Sequence, residues 1–178
     1  VVAKWFGDDT AERAGRMTLN PAAHIDPVGL LMVVIVGFGF AKPVPTNPVN
    51  FTSPRADLWV AAAGPTMNLL LALICWNFYV LAFKAGWTTP PVKVFFTLLA
   101  QINLLLMVFN LLPIGPLDGH YITPHLLPKS VAKMYRYYNG RYGAMVLLAL
   151  VVGSLLGLPL LSWLTDFSIT LLNLITLV

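Results

Sequence analysis

Asp118 is the residue whose setting best suits chemistry. It lies in Asn110-Leu111-Leu112-Pro113-Ile114-Gly115-Pro116-Leu117-Asp118-Gly119-His120, where an apolar run meets two prolines and a glycine and can no longer continue as a helix. A carboxylate placed there stands where hydrocarbon gives way to water. A charged Asp at the centre of a bilayer costs about 2.5–3.5 kcal/mol, and less near an interface, so it calls for a partner: a metal, a proton, another cation or backbone N–H groups. The plain alternative is that Asp118 caps the helix that follows, a common task for Asp after a turn. Local physics leaves both readings open.

Other polar residues in apolar surroundings are weaker candidates. His120 and His125 follow closely, but their spacing, with Pro124 between them, does not set two imidazoles on one helical face, and His24 is remote in sequence. Asn68 lies four residues after Gly64 and therefore on the same helix face, in a stretch that begins Ala61-Ala62-Ala63-Gly64. Small residues admit a neighbouring backbone, and Asn68 would be the polar member of that contact; an interhelical hydrogen bond is its simplest role. Asn103 and Asn110, seven residues apart with Gln101 nearby, form a polar stripe that should face protein or a cavity.

The elements that must position these residues are apolar. Of 178 residues 58% are hydrophobic and 10% charged, against roughly a quarter charged in a soluble domain. Three stretches, 58–83, 94–113 and 142–163, are long enough for the roughly 20 helical residues that cross a bilayer. The first two hold no Asp, Glu, Lys, Arg or His. Gly153 and Gly157 form a packing notch in the third, which Leu158-Pro159 kinks or breaks, and 165–178 is a further apolar tail. Val28 to Phe40 is too short to span, rich in β-branched residues and interrupted by Gly37 and Gly39; it reads as a re-entrant extended or β-hairpin segment. The expected fold is an all-α polytopic membrane protein, three to four transmembrane helices plus that re-entrant piece, forming one membrane-embedded domain over 1–178 with 1–57 as surface loop and re-entrant segment. Bilayer lipid is thus an expected partner.

Charge placement speaks to topology. The net charge is +4, but basic residues are scattered and never form a run with interleaved aromatics, so no nucleic-acid partner is expected. Lys4, Arg13, Arg16, Lys42 and Arg55 precede the first span, and Lys129, Lys133, Arg136 and Arg141 lie between the second and third; the other side has Lys84 and Lys93. The positive-inside rule then makes loops 1–57 and 114–141 cytoplasmic. Cys75 is the single cysteine, so no intrachain disulfide is possible.

Five motifs in order resemble the site-2 protease family of intramembrane zinc metalloproteases. They are Gly7-Asp8-x-Thr10-Ala11-x-Arg13-Ala14-Gly15-Arg16-x-Thr18-Leu19-Asn20-Pro21, His24-Ile25-Asp26-Pro27-x-Gly29, Ala41-Lys42-Pro43-Val44-Pro45, Ala63-Gly64-Pro65-x-x-Asn68, and Asn110-Leu111-Leu112-Pro113 with Leu117-Asp118-Gly119. The resemblance implies a Zn2+ cofactor held by the two imidazoles of an H-E-x-x-H helix, whose Glu is the general base, with Asp118 as third ligand. It implies, on weaker grounds, that Asn68 contacts the substrate strand or its developing oxyanion. The substrate class would be transmembrane or membrane-proximal peptide bonds of membrane-spanning proteins, cleaved in a bacterial-type inner or plasma membrane as regulated intramembrane proteolysis.

The sequence departs from that pattern in one large respect. It has no H-E-x-x-H, and its only Glu is Glu12, in a polar loop. The expectation is a chain that starts just downstream of the catalytic helix and is inactive by itself; the alternative is a homologue without the zinc motif. Two other classes stand beside the protease: a non-catalytic membrane adaptor that binds single-span helices through the Gly64 and Asn68 face, and a transporter using Asp118 with the Asn103 and Asn110 stripe. The transporter would call for more intramembrane ionisable groups and a repeated half, neither of which is visible.

Overall fold

Helix is the only regular structure among the residues that the computed structural model describes, 1–36 and 41–177. The chain divides into two units, Val1–Asp57 and Leu58–Val178.

The first unit holds α1 (Val2–Trp5), α2 (Thr10–Arg13) and α3 (Pro27–Val36), with 3-10 turns at Pro21–Ala23 and Pro48–Asn50. Among the described residues its buried apolar side chains are small, Ala3, Ala11 and Ala56, so their packing holds little of it. The chain reverses after α1 through Gly7, at φ +94°, where a Cβ would come within 2.9 Å of the Asn50 carbonyl oxygen. Gly7 therefore serves both a left-handed backbone and a close approach.

The expected extended or β-hairpin segment at 28–40 is not formed: residues 27–36 are the helix α3, and no strand occurs among the described residues. Residues 37–40 of that segment lie outside them. The reason is local. Pro27 presets φ for a first helical turn, and Asp26 caps it, its Oδ1 accepting from the N–H groups of Val28 (2.9 Å) and Gly29 (3.0 Å). A cap worth about 1 kcal/mol, with that pre-organised start, offsets the few tenths each β-branched residue costs.

The second unit is built on α4 (Ala56–Lys84) and α5 (Pro90–Asn110), followed by α6 (Asp118–Ile122), a 3-10 turn at Thr123–His125, α7 (Lys129–Leu155) and α8 (Ser162–Leu174). Its core comprises Ala72, Ala100, Leu104, Leu172 and Ile175, where α4, α5 and α8 meet. Asn77 of α4 ties down the end of the chain: its Nδ2 donates to the Ile175 carbonyl (2.9 Å) and its Oδ1 accepts from the Leu177 N–H (2.7 Å). These backbone groups follow α8 and would otherwise lack helical partners.

Among the described residues two helices, α4 and α5, are long and apolar enough to cross a membrane, which corrects the expected three to four. Their outward side chains have little protein cover; Ile74 is 66% exposed and Phe78 58%. The expected third span at 142–163 is interrupted. α7 begins at Lys129 with a polar, basic half, and its apolar half runs only from Tyr142 to Leu155, roughly 21 Å at 1.5 Å per residue. It stops in a Schellman motif: Gly157 has φ +91°, Leu158 N–H donates to the Gly153 carbonyl (3.0 Å) and Gly157 N–H to the Ser154 carbonyl (3.1 Å). Gly153 takes the returning side chain of Leu160, whose Cδ1 lies 2.7 Å from where a Cβ would be. The Gly153 and Gly157 pair thus ends its own helix. α8, at 13 residues, is too short to span.

Candidate functional site

Asp118 reaches its position through three devices. α5 ends at Asn110, and the chain turns through Pro113 and Pro116, with Ile114 N–H donating to the Leu112 carbonyl (2.8 Å) and Leu117 N–H to the Ile114 carbonyl (2.9 Å). The short helix α6 then folds back on the end of α5. Its Gly119 is buried so closely that a Cβ would collide with the carbonyl oxygens of Leu111 and Leu112. Only glycine fits there, which gives the Asp-Gly pair a steric reason. Thr123 Oγ1 closes α6 by donating to the Gly119 carbonyl (2.7 Å).

Asp118 is the first residue of α6, after the N-cap Leu117, and makes no side-chain cap bond. The capping alternative is therefore not realised. The carboxylate is half-buried, and it forms no ion pair among the described residues. Burial raises its pKa above the usual carboxylate value, with no hydrogen bond from a described residue to draw it back. Opposite it is Gly64 of α4: Asp118 Oδ2 lies 3.1 Å from where a Gly64 Cβ would be. Two motifs separate in sequence, Gly64-Pro65-x-x-Asn68 and Leu117-Asp118-Gly119, thus meet at a carboxylate and a position without a side chain. Asn68, half-buried one turn along α4, makes no side-chain hydrogen bond among the described residues.

The other candidates are placed elsewhere. Asn103 and Asn110 donate to carbonyls of their own helix, Leu99 (2.8 Å) and Leu106 (2.9 Å), so the stripe satisfies itself locally. His24, in the first unit, shares a 2.9 Å contact with the Thr18 carbonyl. His120 stacks on Tyr135 with ring centroids 5.6 Å apart, and its Nδ1 is buried without a partner. Burial lowers the His120 pKa, and the nearby Arg136 lowers it further. His125 sits in the 3-10 turn after α6. No group of three or more His, Cys, Asp or Glu comes together among the described residues. An apolar groove of about 520 Å3 beside Pro113 and Ile114 has no carboxylate in its lining and is not where acid–base chemistry could occur.

Sequence reasoning missed the residues that hold the turn before Asp118. Asn139 of α7 donates through Nδ2 to the Pro113 carbonyl (2.8 Å) and accepts through Oδ1 from the Gly115 N–H (2.9 Å). Tyr135 donates its hydroxyl to the same Pro113 carbonyl (2.9 Å). Their signal was available as Tyr135-x-x-x-Asn139-x-x-x-Gly143, a polar and small stripe on one helix face.

Comparison with known proteins points one way. A family model described as peptidase family M50 matches residues 84–154. YwhC of Bacillus subtilis, whose name reads "Putative zinc metalloprotease", is 44% identical over 158 residues, covering 85% of this chain and 71% of its own length. Rip2 of Mycolicibacterium smegmatis, named likewise, is 30% identical over 175 residues, covering 92% of this chain and 65% of its own length. Rip3 of Mycobacterium tuberculosis is 37% identical over 117 residues, 59% of this chain and 29% of its own length. No solved structure matches.

Proposed function

Because this chain belongs to peptidase family M50, we propose that it supplies Asp118 as one ligand of a catalytic zinc in an intramembrane endopeptidase and shapes the space around that ligand. The supporting observation is the carboxylate itself: half-buried, uncapped, without an ion pair among the described residues, and set against Gly64. Such a group is short of a cation.

A catalytic zinc takes three protein ligands and leaves a fourth position for water. The 178 residues contain no H-E-x-x-H, and with no His, Cys, Asp and Glu cluster among the described residues they fit one ligand position and not a whole site. Two imidazoles and the general base are assigned to an H-E-x-x-H helix joined to this segment in the working enzyme. When bound, zinc supplies an acidified water and polarises the scissile carbonyl. This chain's residues orient and make room: Gly64 leaves space beside Asp118, and Asn68 contacts the substrate strand or the developing oxyanion.

α4 and α5 lie in the bilayer in this reading, with loops 1–57 and 114–141 cytoplasmic by their basic residues, in a bacterial-type inner or plasma membrane. The substrate is then a peptide bond within or beside a transmembrane segment. Asp118→Ala in the full-length protein tests the ligand role: bound zinc should be lost and cleavage should fall more than about 100-fold, since even supporting residues of metal sites cost 10–100-fold. Full zinc content and full activity in that variant would refute it.

A further inference from the structure

We propose that Asn139 is the positioning residue for Asp118, with Tyr135 and Gly143 one turn to either side completing the same device; the inference rests on the reading of Asp118 as a ligand. After α5 ends, the backbone of the Pro113–Leu117 turn has lost helical partners and must find others. Asn139 meets two of those needs with one side chain, donating to the Pro113 carbonyl at 2.8 Å and accepting from the Gly115 N–H at 2.9 Å. A primary amide carries a donor and an acceptor at that separation; Asp lacks the donor and Leu lacks both.

The neighbouring positions make the bidentate contact possible. Tyr135 adds a second donor to the Pro113 carbonyl at 2.9 Å, and its ring stacks on His120, two residues past Asp118. Gly143 lets the α7 backbone lie against the turn, since a Cβ there would stand 2.8 Å from both the nitrogen and the oxygen of Gly115 and would collide with Asn139 Oδ1. Residues 135, 139 and 143 are four apart and form one line along α7. Only Pro116, with its fixed φ, and Leu117, bonded to the Ile114 carbonyl at 2.9 Å, separate Gly115 from Asp118. A displacement of Gly115 therefore has no slack in which to dissipate before it reaches the carboxylate. Beyond Asp118, Gly119 is wedged against the Leu111 and Leu112 carbonyls. Asp118 is thus held on both sides, and α7 supplies the upstream hold.

The test uses the full-length protein and compares wild type, Asp118→Ala, Asn139→Leu and Tyr135→Phe. Three readouts are taken: zinc affinity by chelator competition, hydrogen exchange at the Gly115 amide, and kcat and KM separately. Asn139→Leu should speed Gly115 exchange, weaken zinc by about 10- to 100-fold as supporting residues of metal sites do, and lower kcat with KM little changed. Tyr135→Phe should move the same way by about threefold, in keeping with the loss of one neutral hydrogen bond. If Asp118→Ala abolishes zinc binding while Asn139→Leu exchanges faster at Gly115 yet keeps wild-type zinc affinity and kcat, the positioning role is overturned and the ligand role stands. If Asp118→Ala itself keeps its zinc, the ligand reading falls instead. Should Asn139→Leu fail to fold, Tyr135→Phe decides, and wild-type zinc affinity in it overturns the proposal.

Discussion

In residues 1–57 two buried charged side chains, Asp8 and Arg16, gather irregular backbone from distant parts of the segment; in residues 58–178 the neutral amides of Asn77 and Asn139 do so. Asp8, 1% exposed, accepts hydrogen bonds from Thr10 N–H (3.1 Å), the Thr10 hydroxyl, Asn47 N–H (2.8 Å) and Asn50 Nδ2 (3.1 Å). Arg16, 8% exposed, donates to the carbonyls of Ala23, Lys42 and Pro43 and so gathers both ends of the segment that contains α3. In the second unit the equivalent work falls to Asn77 and Asn139. Charge-assisted bonds are about twice as strong as neutral ones, but stranding a charge in apolar surroundings costs far more than stranding an amide. A unit with small buried alanines gains from the stronger bond. A unit of apolar helices cannot afford the risk. Asp118 is the exception: it is a carboxylate among apolar helices with its bonding capacity unused among the described residues, and it stands in direct contrast to Asp8, whose oxygens are taken. Ionisable groups perturbed by burial without a compensating partner are over-represented at functional sites.

The comparison is sharpened most by Gly119→Ala. If steric closeness, and not polar bonding, seats α6, a single methyl must displace the Leu111 and Leu112 carbonyls or the helix. A destabilisation of about 3 kcal/mol is expected, at the upper end for overpacking. Thermal unfolding in detergent measures it, and segment-resolved hydrogen exchange should show faster exchange over 111–123 with 1–57 unchanged. A variant as stable as wild type would break the steric account.

Arg16→Met tests the first unit. Removing the guanidinium leaves three carbonyls without their donor, and a cost of about 2 kcal/mol is expected from bonds to a charged group. Limited proteolysis should cut residues 17–47 faster, while protection of α4 and α5 stays as in wild type. Equal loss of protection in both units would mean that they do not rely on separate chemistry.

Much of this arrangement was legible in the residues, and the failures have identifiable causes. The α4 and α5 spans follow from length and the absence of charge, a signal that tertiary context rarely overrides. The end of α5 and a carboxylate just beyond it follow from Pro113, Gly115 and Pro116. That Gly64 faces Asp118 could not be read, because two motifs more than fifty positions apart share no local signal. At α3 a β-branched run with later glycines points to an extended segment, but the Asp26-Pro27 helix start prevails. The count of spans differs at the third: Leu158-Pro159 signals a kink or a break, but the packing-notch reading of Gly153 and Gly157 hides that Gly157, in the left-handed region, ends the helix before the prolyl residue is reached. Asn139 went unseen because the polar half of α7 was read for its topological charges alone.

The smallest expected effect concerns Asp8 and acid. Its hydrogen bonds, that of the Thr10 hydroxyl first and that of the Asn47 N–H next, lower its pKa from 3.8 to about 2. The sign follows from linkage. A carboxyl whose folded value is depressed favours the folded state by its full amount above the unfolded value, and that contribution is lost as pH falls from about 3.8 toward 2. Residues 1–57 should therefore loosen in that window, seen as faster hydrogen exchange at Thr10 and Asn47. Asp8→Asn, which cannot ionise, should flatten the pH dependence while lowering stability at pH 7. Asp118 has the opposite shift, so its protonation does not weaken the second unit, and α4 to α6 should keep their protection over the same window. If acid released α6 first, the distinction between a carboxylate held by hydrogen bonds and one proposed as a ligand would fail at the pair of residues on which it rests.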